Sequence, residues 1–185
     1  MNSILEIKAI IEDCRVDTIG GIMTGIELWE MAVIPMMLNN CGTWDEIGEK
    51  SMKKLNQLQN NVLQYLLNTP RSTPGPSLSW EFGILPMEYR IMTKKLCLTK
   101  HIVNLSHNSL AKEIFVTQNE LSFPGLSREI TQLITDLNLP NILDPNVNKK
   151  WPKHKWKNLV KNKVWEKCEK DLQEKLKKFT KLDDS

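Results

Sequence analysis

A chain of 185 residues can bury a real core without disulfides or metals, as one domain or two small ones. Its 41% apolar and 25% charged residues are the composition of an ordinary soluble globular protein. The net charge of +3 hides an asymmetry: residues 149–178 carry twelve lysines against Glu166, Glu169, Asp171 and Glu174, a local +8, which leaves −5 for the rest.

Residues 1–17 read as a short helix, with Ile4, Leu5, Ile7, Ile10 and Ile11 on one side. Glu6, Lys8, Glu12, Asp13 and Arg15 break up any apolar core that a signal peptide would need. Gly20, Gly21 and Gly25 then mark either a flexible joint or a close helix contact, and the joint is the preferred reading. From Gly20 to Trp44, Ile22, Ile26, Trp29, Val33 and Met36 recur at spacings of four and three, which predicts a helix. Leu28, Met31, Ala32 and Leu38 cover its other side, so it is expected to be buried nearly all round. Pro35 removes a backbone donor inside the pattern and predicts a kink. Asn39, Asn40 and Gly42 end the helix. Thr43 and Glu46 offer a capping box for the next one.

A second helix is predicted over 51–68, with Met52, Leu55, Leu58, Val62, Tyr65 and Leu66 inward. Thr69 to Ser77 holds three prolines and reads as a stiff connector, pinned to the core by Trp80 and Phe82. Pro86 suits the first position of a helix running to about Leu105. Its inward set is Met87, Ile91, Leu98, Ile102 and Leu105. Arg90, Lys94, Lys95 and Lys100 form a small basic group on it. Ser109 to Leu121 is a shorter helix with Leu110, Ile114, Phe115 and Leu121 buried. Phe123, Pro124 and Gly125 make a turn. Leu126 to Leu137 is another short helix, and Leu139 to Asn148 reads as a linker. The last helix starts near Pro152, where Trp156, Val160, Val164, Cys168, Leu172 and Leu176 recur every four residues. Such a stripe drifts round the helix and needs a surface to wrap on. No strand pattern and no fixed repeat appears.

The order of several pieces carries a family resemblance. Leu28-Trp29-Glu30, Ala32, Ile34-Pro35, Leu38, Asn40 and Cys41 come first. Asn56 to Asn60 and Leu63 to Leu67 are next, then Thr69 to Pro74 and Trp80 to Met87. Together they resemble the segment just after the polymerase core in reverse transcriptases of non-LTR (LINE-type) retrotransposons, over roughly residues 10–145. The resemblance implies a thumb-like helical bundle that grips a template–primer duplex and does no chemistry itself. It also implies a missing polymerase core as partner, and an isolated or degenerate piece of a larger polyprotein.

The strongest nucleic-acid signal is Lys149 to Trp165, which holds Lys149, Lys150, Lys153, Lys155, Lys157, Lys161 and Lys163 with no acid. Trp151, Trp156 and Trp165 are interleaved. Lysine gives salt-dependent attraction to phosphate, and indoles can stack on bases. The competing explanation is a solvated helix face, and Trp156 belongs to the apolar stripe. Lys53, Lys54, Arg90 and Lys94 are further candidate contacts, each equally explained as a solvated face.

No catalytic motif is found. The aspartate pair that such polymerases need for two metal ions is missing, since Asp183-Asp184 lies in a polar tail. There is no G-x-S-x-G, Walker loop or HExxH. Cys14, Cys41, Cys97 and Cys168 are far apart, without zinc spacing, and read as reduced, partly buried residues. His101, His107 and His154 read as surface residues.

The expectation is therefore an all-α protein. Residues 1–19 are a remnant helix, 20–106 a thumb-like bundle, 107–148 short helices and a linker, and 149–185 a basic amphipathic helix. Its expected function is backbone binding of RNA or an RNA–DNA hybrid, without catalysis, cofactor, metal, small-molecule substrate or membrane, in the nucleus or cytoplasm. The alternative is a helical protein-interaction module.

Overall fold

The computed structural model describes residues 19–44, 47–121 and 125–183, with side chains through residue 177. The expected helix over 1–17, Cys14, the capping box at Asp45 and Glu46, the turn at Phe123 and Pro124, and Asp184 lie outside the described residues. The described residues are all-α, as the periodicity predicts, and contain no strand. Eight helices succeed one another: α1 Ile19–Met37, α2 Glu49–Leu66, α3 Gly75–Phe82, α4 Met87–Val103, α5 Leu110–Glu120, α6 Leu126–Asp136, α7 Pro145–Lys150 and α8 Lys153–Asp183. They fall into two compact units, one of residues 1–39 and 53–84, the other of residues 40–52 and 85–185. Residues 20–106, which the sequence presents as one bundle, contribute to both.

The first unit is built on α1. Its Gly21, Gly25, Trp29, Ile34 and Leu38 are buried. These positions step by four, except for a step of five between Trp29 and Ile34. The extra residue is a π-helical turn over Trp29–Val33, in which the Ile34 N–H donates to the Trp29 carbonyl. It lies one position ahead of Pro35, which has no N–H to continue the ordinary ladder. The expected disruption is present, but it takes the form of an inserted residue, and that rotates the buried face.

Two expectations for α1 are therefore corrected. The helix is not buried all round: Ile19, Met23, Met31 and Met36 are exposed, Met31 to 79%. The glycines are not a joint but part of the helix, and Gly21 and Gly25 are buried. A Cβ on Gly25 would collide with the buried Leu66 side chain of α2, so glycine is what permits this approach. Although no uninterrupted apolar run reaches spanning length, Ile19–Met37 as a helix is long and apolar enough to cross a membrane by length and composition, with Glu27 and Glu30 inside it. Asn40, at φ 54°, adopts the left-handed conformation after the helix, as an Asn at a helix end readily does.

On α2 the buried residues are Gln59, Leu63 and Leu66, a face rotated from the predicted one, which left out Gln59 and Leu63. Leu63 packs with Leu78 and Ile84, and Phe82 joins them from the side. Leu78 thus anchors α3, whereas Trp80, expected to be the pin, is 43% exposed. The connector is held instead by Gln64, whose side-chain amide donates to the carbonyls of Arg71 and Thr73.

The second unit has the larger core. Tyr89 and Leu96 of α4, Phe115 of α5, Ile130, Leu133 and Ile134 of α6, and the α8 stripe pack together. Trp156, Val160, Val164, Cys168 and Leu172 are all buried, as their spacing predicts. Burying each large aliphatic side chain contributes about 1.5–3 kcal/mol, so this stripe is a major source of cohesion. The short turn Cys41–Thr43 also packs on α4. Gly42 sits so close to Leu98 and the Lys94 carbonyl that a Cβ would lie 3.1–3.3 Å from them.

Two expectations here are also corrected. Leu139 and Ile142 belong to the core, and Pro145–Lys150 is helical, so the segment is not a linker. Asp144 caps α7 by accepting from the Asn146 N–H at 2.8 Å, with Pro145 in the first turn. On α5 only Phe115 is buried, while Leu110, Ile114 and Leu121 are 68%, 49% and 60% exposed. The period of the apolar residues predicts this helix correctly but not the face that is covered.

These placements predict opposite outcomes for two isoleucines. Ile142→Ala should lower stability by about 2–5 kcal/mol in urea unfolding, the range for a fully buried aliphatic. Ile114→Ala should stay within about 0.5 kcal/mol.

Candidate nucleic-acid interface

The lysines expected to bind are sorted by the way α8 lies on α4. The Trp156 indole N–H donates to the Leu96 carbonyl at 3.1 Å, a buried bond that fixes the register between the two helices. Lys157 comes directly after Trp156, and Cys97 directly after Leu96. On α8, Lys153, Lys157 and Lys161 repeat every four residues, in step with the buried stripe and flanking it. All three are exposed, as is Lys94 of α4.

Cys97 shows that these four side chains converge. Its half-buried thiol is pushed above the ordinary range by burial, while the charges of Lys157, Lys161, Lys94 and Lys153 pull in the other direction. All four ammonium groups stand exposed on two helices that pack together. None of them has a hydrogen bond or ion pair among the described residues. Cys41 likewise has a thiol raised by burial and opposed by Lys94 and Lys95, which places Lys94 between the two cysteines.

The other candidates are placed differently. Lys155 and Lys163 lie on the opposite flank of α8. Lys163 is half-buried and pairs with Glu166 at 2.8 Å, and Lys167 in the same row pairs with Asp171 at 3.4 Å. Lys149 and Lys150 are exposed in the last turn of α7, where cations complement the helix C-terminus. Arg90 is half-buried, and its Nε donates to the Leu85 carbonyl at 2.7 Å. Lys53 and Lys54 are exposed on α2, in the first unit.

Two members of the small basic group on α4 are not surface residues. Lys95 is 1% exposed and pairs with Glu129 of α6 at 2.5 Å. Lys100 is buried and donates to both the backbone carbonyl and the side-chain oxygen of Asn148, at the end of α7. Asn148 in turn donates to Asn104, and Asn104 donates back to the Lys100 carbonyl. Burial lowers the Lys100 pKa. These lysines tie α6 and α7 to α4.

The interleaved tryptophans are turned inward. Trp156 is core, Trp151 packs against it, and the half-buried Trp165 donates to Glu169 at 2.8 Å. The exposed surface is thus lysine without an aromatic platform. Further along α8, Tyr89 donates to Asp171 at 2.6 Å. Burial and this carboxylate raise the Tyr89 pKa, and burial pushes the Cys168 thiol up to about 12. His101, His107 and His154 are exposed. No cluster of metal-ligating side chains occurs among the described residues.

The convergence on Cys97 is absent from the sequence expectations, although a signal for it exists: the lysine repeat of four runs beside an apolar repeat of four. What the sequence lacks is the partner helix that brings Lys94 to the same place.

No known family model, curated protein or solved structure matches the chain.

The division between tying and exposed lysines is testable by stability. Lys95→Ala and Lys100→Ala each remove a buried side chain and its link to a half-buried partner, and should cost about 1–3 kcal/mol in chemical unfolding. Lys94→Ala should change stability by no more than about 0.5 kcal/mol.

Proposed function

We propose that this chain is a non-catalytic helical part of a non-LTR retrotransposon reverse transcriptase. In this reading it binds RNA or an RNA–DNA hybrid through phosphates, and the polymerase core that would act on the bound primer is a separate partner. The family reading rests on the residue resemblance from Leu28 to Met87. The binding reading rests on one observation: Lys94, Lys153, Lys157 and Lys161 stand exposed on two packed helices, with no acid paired to them among the described residues.

The chemistry of that surface favours the backbone over the bases. Lysine is a flexible point charge that attracts phosphate without reading sequence. Stacking on bases requires accessible aromatic faces, and the nearby indoles are packed or bonded. The binding is therefore shape- and charge-based, and tolerant of sequence. Chemistry is left to other residues of a larger assembly.

A second reading is a protein-interaction module. It is favoured by Leu110, Ile114 and Leu121, which stand exposed on and just after α5. The two readings differ in their response to salt, because apolar contacts are not screened.

Fluorescence anisotropy of a labelled RNA–DNA hybrid, titrated with the folded chain, separates them. Binding at low salt that fades steeply as salt rises is expected, with little dependence on the hybrid's sequence. A folded chain that leaves the hybrid free at low salt would move the assignment to the interaction module.

A further inference from the structure

Resting on the nucleic-acid reading above, we infer that one strand of the bound duplex runs along α8 and over Cys97, with Lys94, Lys153, Lys157 and Lys161 as its phosphate contacts. Lys149, Lys150, Lys155, Lys163 and Arg90 lie outside this path.

Helix geometry sets the direction. Lys153 to Lys161 spans eight residues, about 12 Å along the helix axis. One strand of a duplex rises about 3.4 Å along the duplex axis per phosphate, and because the backbone winds round that axis its successive phosphates lie farther apart, so a row of this length meets about three of them. A strand crossing α8 at a steep angle would meet only one of these lysines. Lys94 and Cys97 are three residues apart on α4 and so share a face of it, and α8 packs on this helix with Trp156 bonded to Leu96. A backbone lying in the seam between the two helices is flanked by ammonium groups on both sides.

The same placement accounts for the exclusions. Lys155 and Lys163 are on the far flank of α8, where Lys163 already holds Glu166. Lys149 and Lys150 belong to a separate helix that ends before Pro152. Arg90 is tied to Leu85. Nine cationic candidates in this unit thus reduce to four contacts.

Single alanine variants and a thiol footprint test the path, using the full chain with Cys14→Ser and a labelled RNA–DNA hybrid. At about 0.1 M salt, losing one phosphate contact weakens binding by roughly fivefold to tenfold. Lys94→Ala, Lys153→Ala, Lys157→Ala and Lys161→Ala should each show that loss. Lys155→Ala and Lys149→Ala should change affinity by less than about twofold. Saturating hybrid should slow iodoacetamide alkylation of Cys97 several-fold, with the buried Cys41 and Cys168 reporting any unfolding. Binding that depends equally on Lys155 and Lys157, or that leaves Cys97 alkylation unchanged, overturns the path while the nucleic-acid reading stands. Absence of binding by the folded chain overturns both.

Discussion

The register of α8 on α4 is the constraint on which the second unit depends. Five residues of α8, four apart, are buried in one stripe, and the Trp156–Leu96 hydrogen bond holds them at a single alignment on α4. Slipping α8 by one residue would turn that stripe away and leave the indole N–H unpaired in an apolar place, at a cost of about 1–3 kcal/mol for the donor alone. Once the register is set, every other side chain on α8 has its surroundings assigned. Lys153, Lys157 and Lys161 fall on the seam with α4. Lys163 and Lys167 fall on the opposite side, next to acids.

The same residue type consequently does two jobs. Lys95 and Lys100 are drawn into the unit because each finds oxygen partners there, Glu129 for one and Asn148 for the other. Without those partners, burying an ammonium group would cost several kcal/mol. Their neighbour Lys94, one position before Lys95 in the chain, has no such partner among the described residues and is exposed. A count of lysines cannot make this distinction, because it depends on what α6 and α7 bring to the α4 face.

Much of the fold is legible in the sequence because helical period is a strong local signal. The α8 stripe, the inward residues of α6 and the positions of most helices come directly from apolar spacing. The failures share one cause, which is that period assigns a helix but not the face another element will cover. On α5, of the four residues expected inward, only Phe115 is buried, while Leu110, Ile114 and Leu121 are exposed. On α1 the π turn shifts the buried row by one residue at Trp29, which no regular period anticipates. The prolines of segment 139–148 suggest a linker, although Asp144-Pro145 is a helix-start pair and Ile142 is core. For the candidate site, the lysines are legible and their sorting is not. Lys94 meets the α8 row only through packing between residues about sixty positions apart.

The salt dependence of hybrid binding tests the account most directly, because it counts the phosphates engaged. A plot of log affinity against log salt has a slope of about −0.9 per phosphate neutralised on a duplex. Four contacts predict a slope of about −3.6, and the value for the variant with Lys94, Lys153, Lys157 and Lys161 all changed to alanine should approach zero. A slope near −10 that survives in that variant would mean that the lysines act as a diffuse charged face, and would contradict the seam between α4 and α8 as the site of binding.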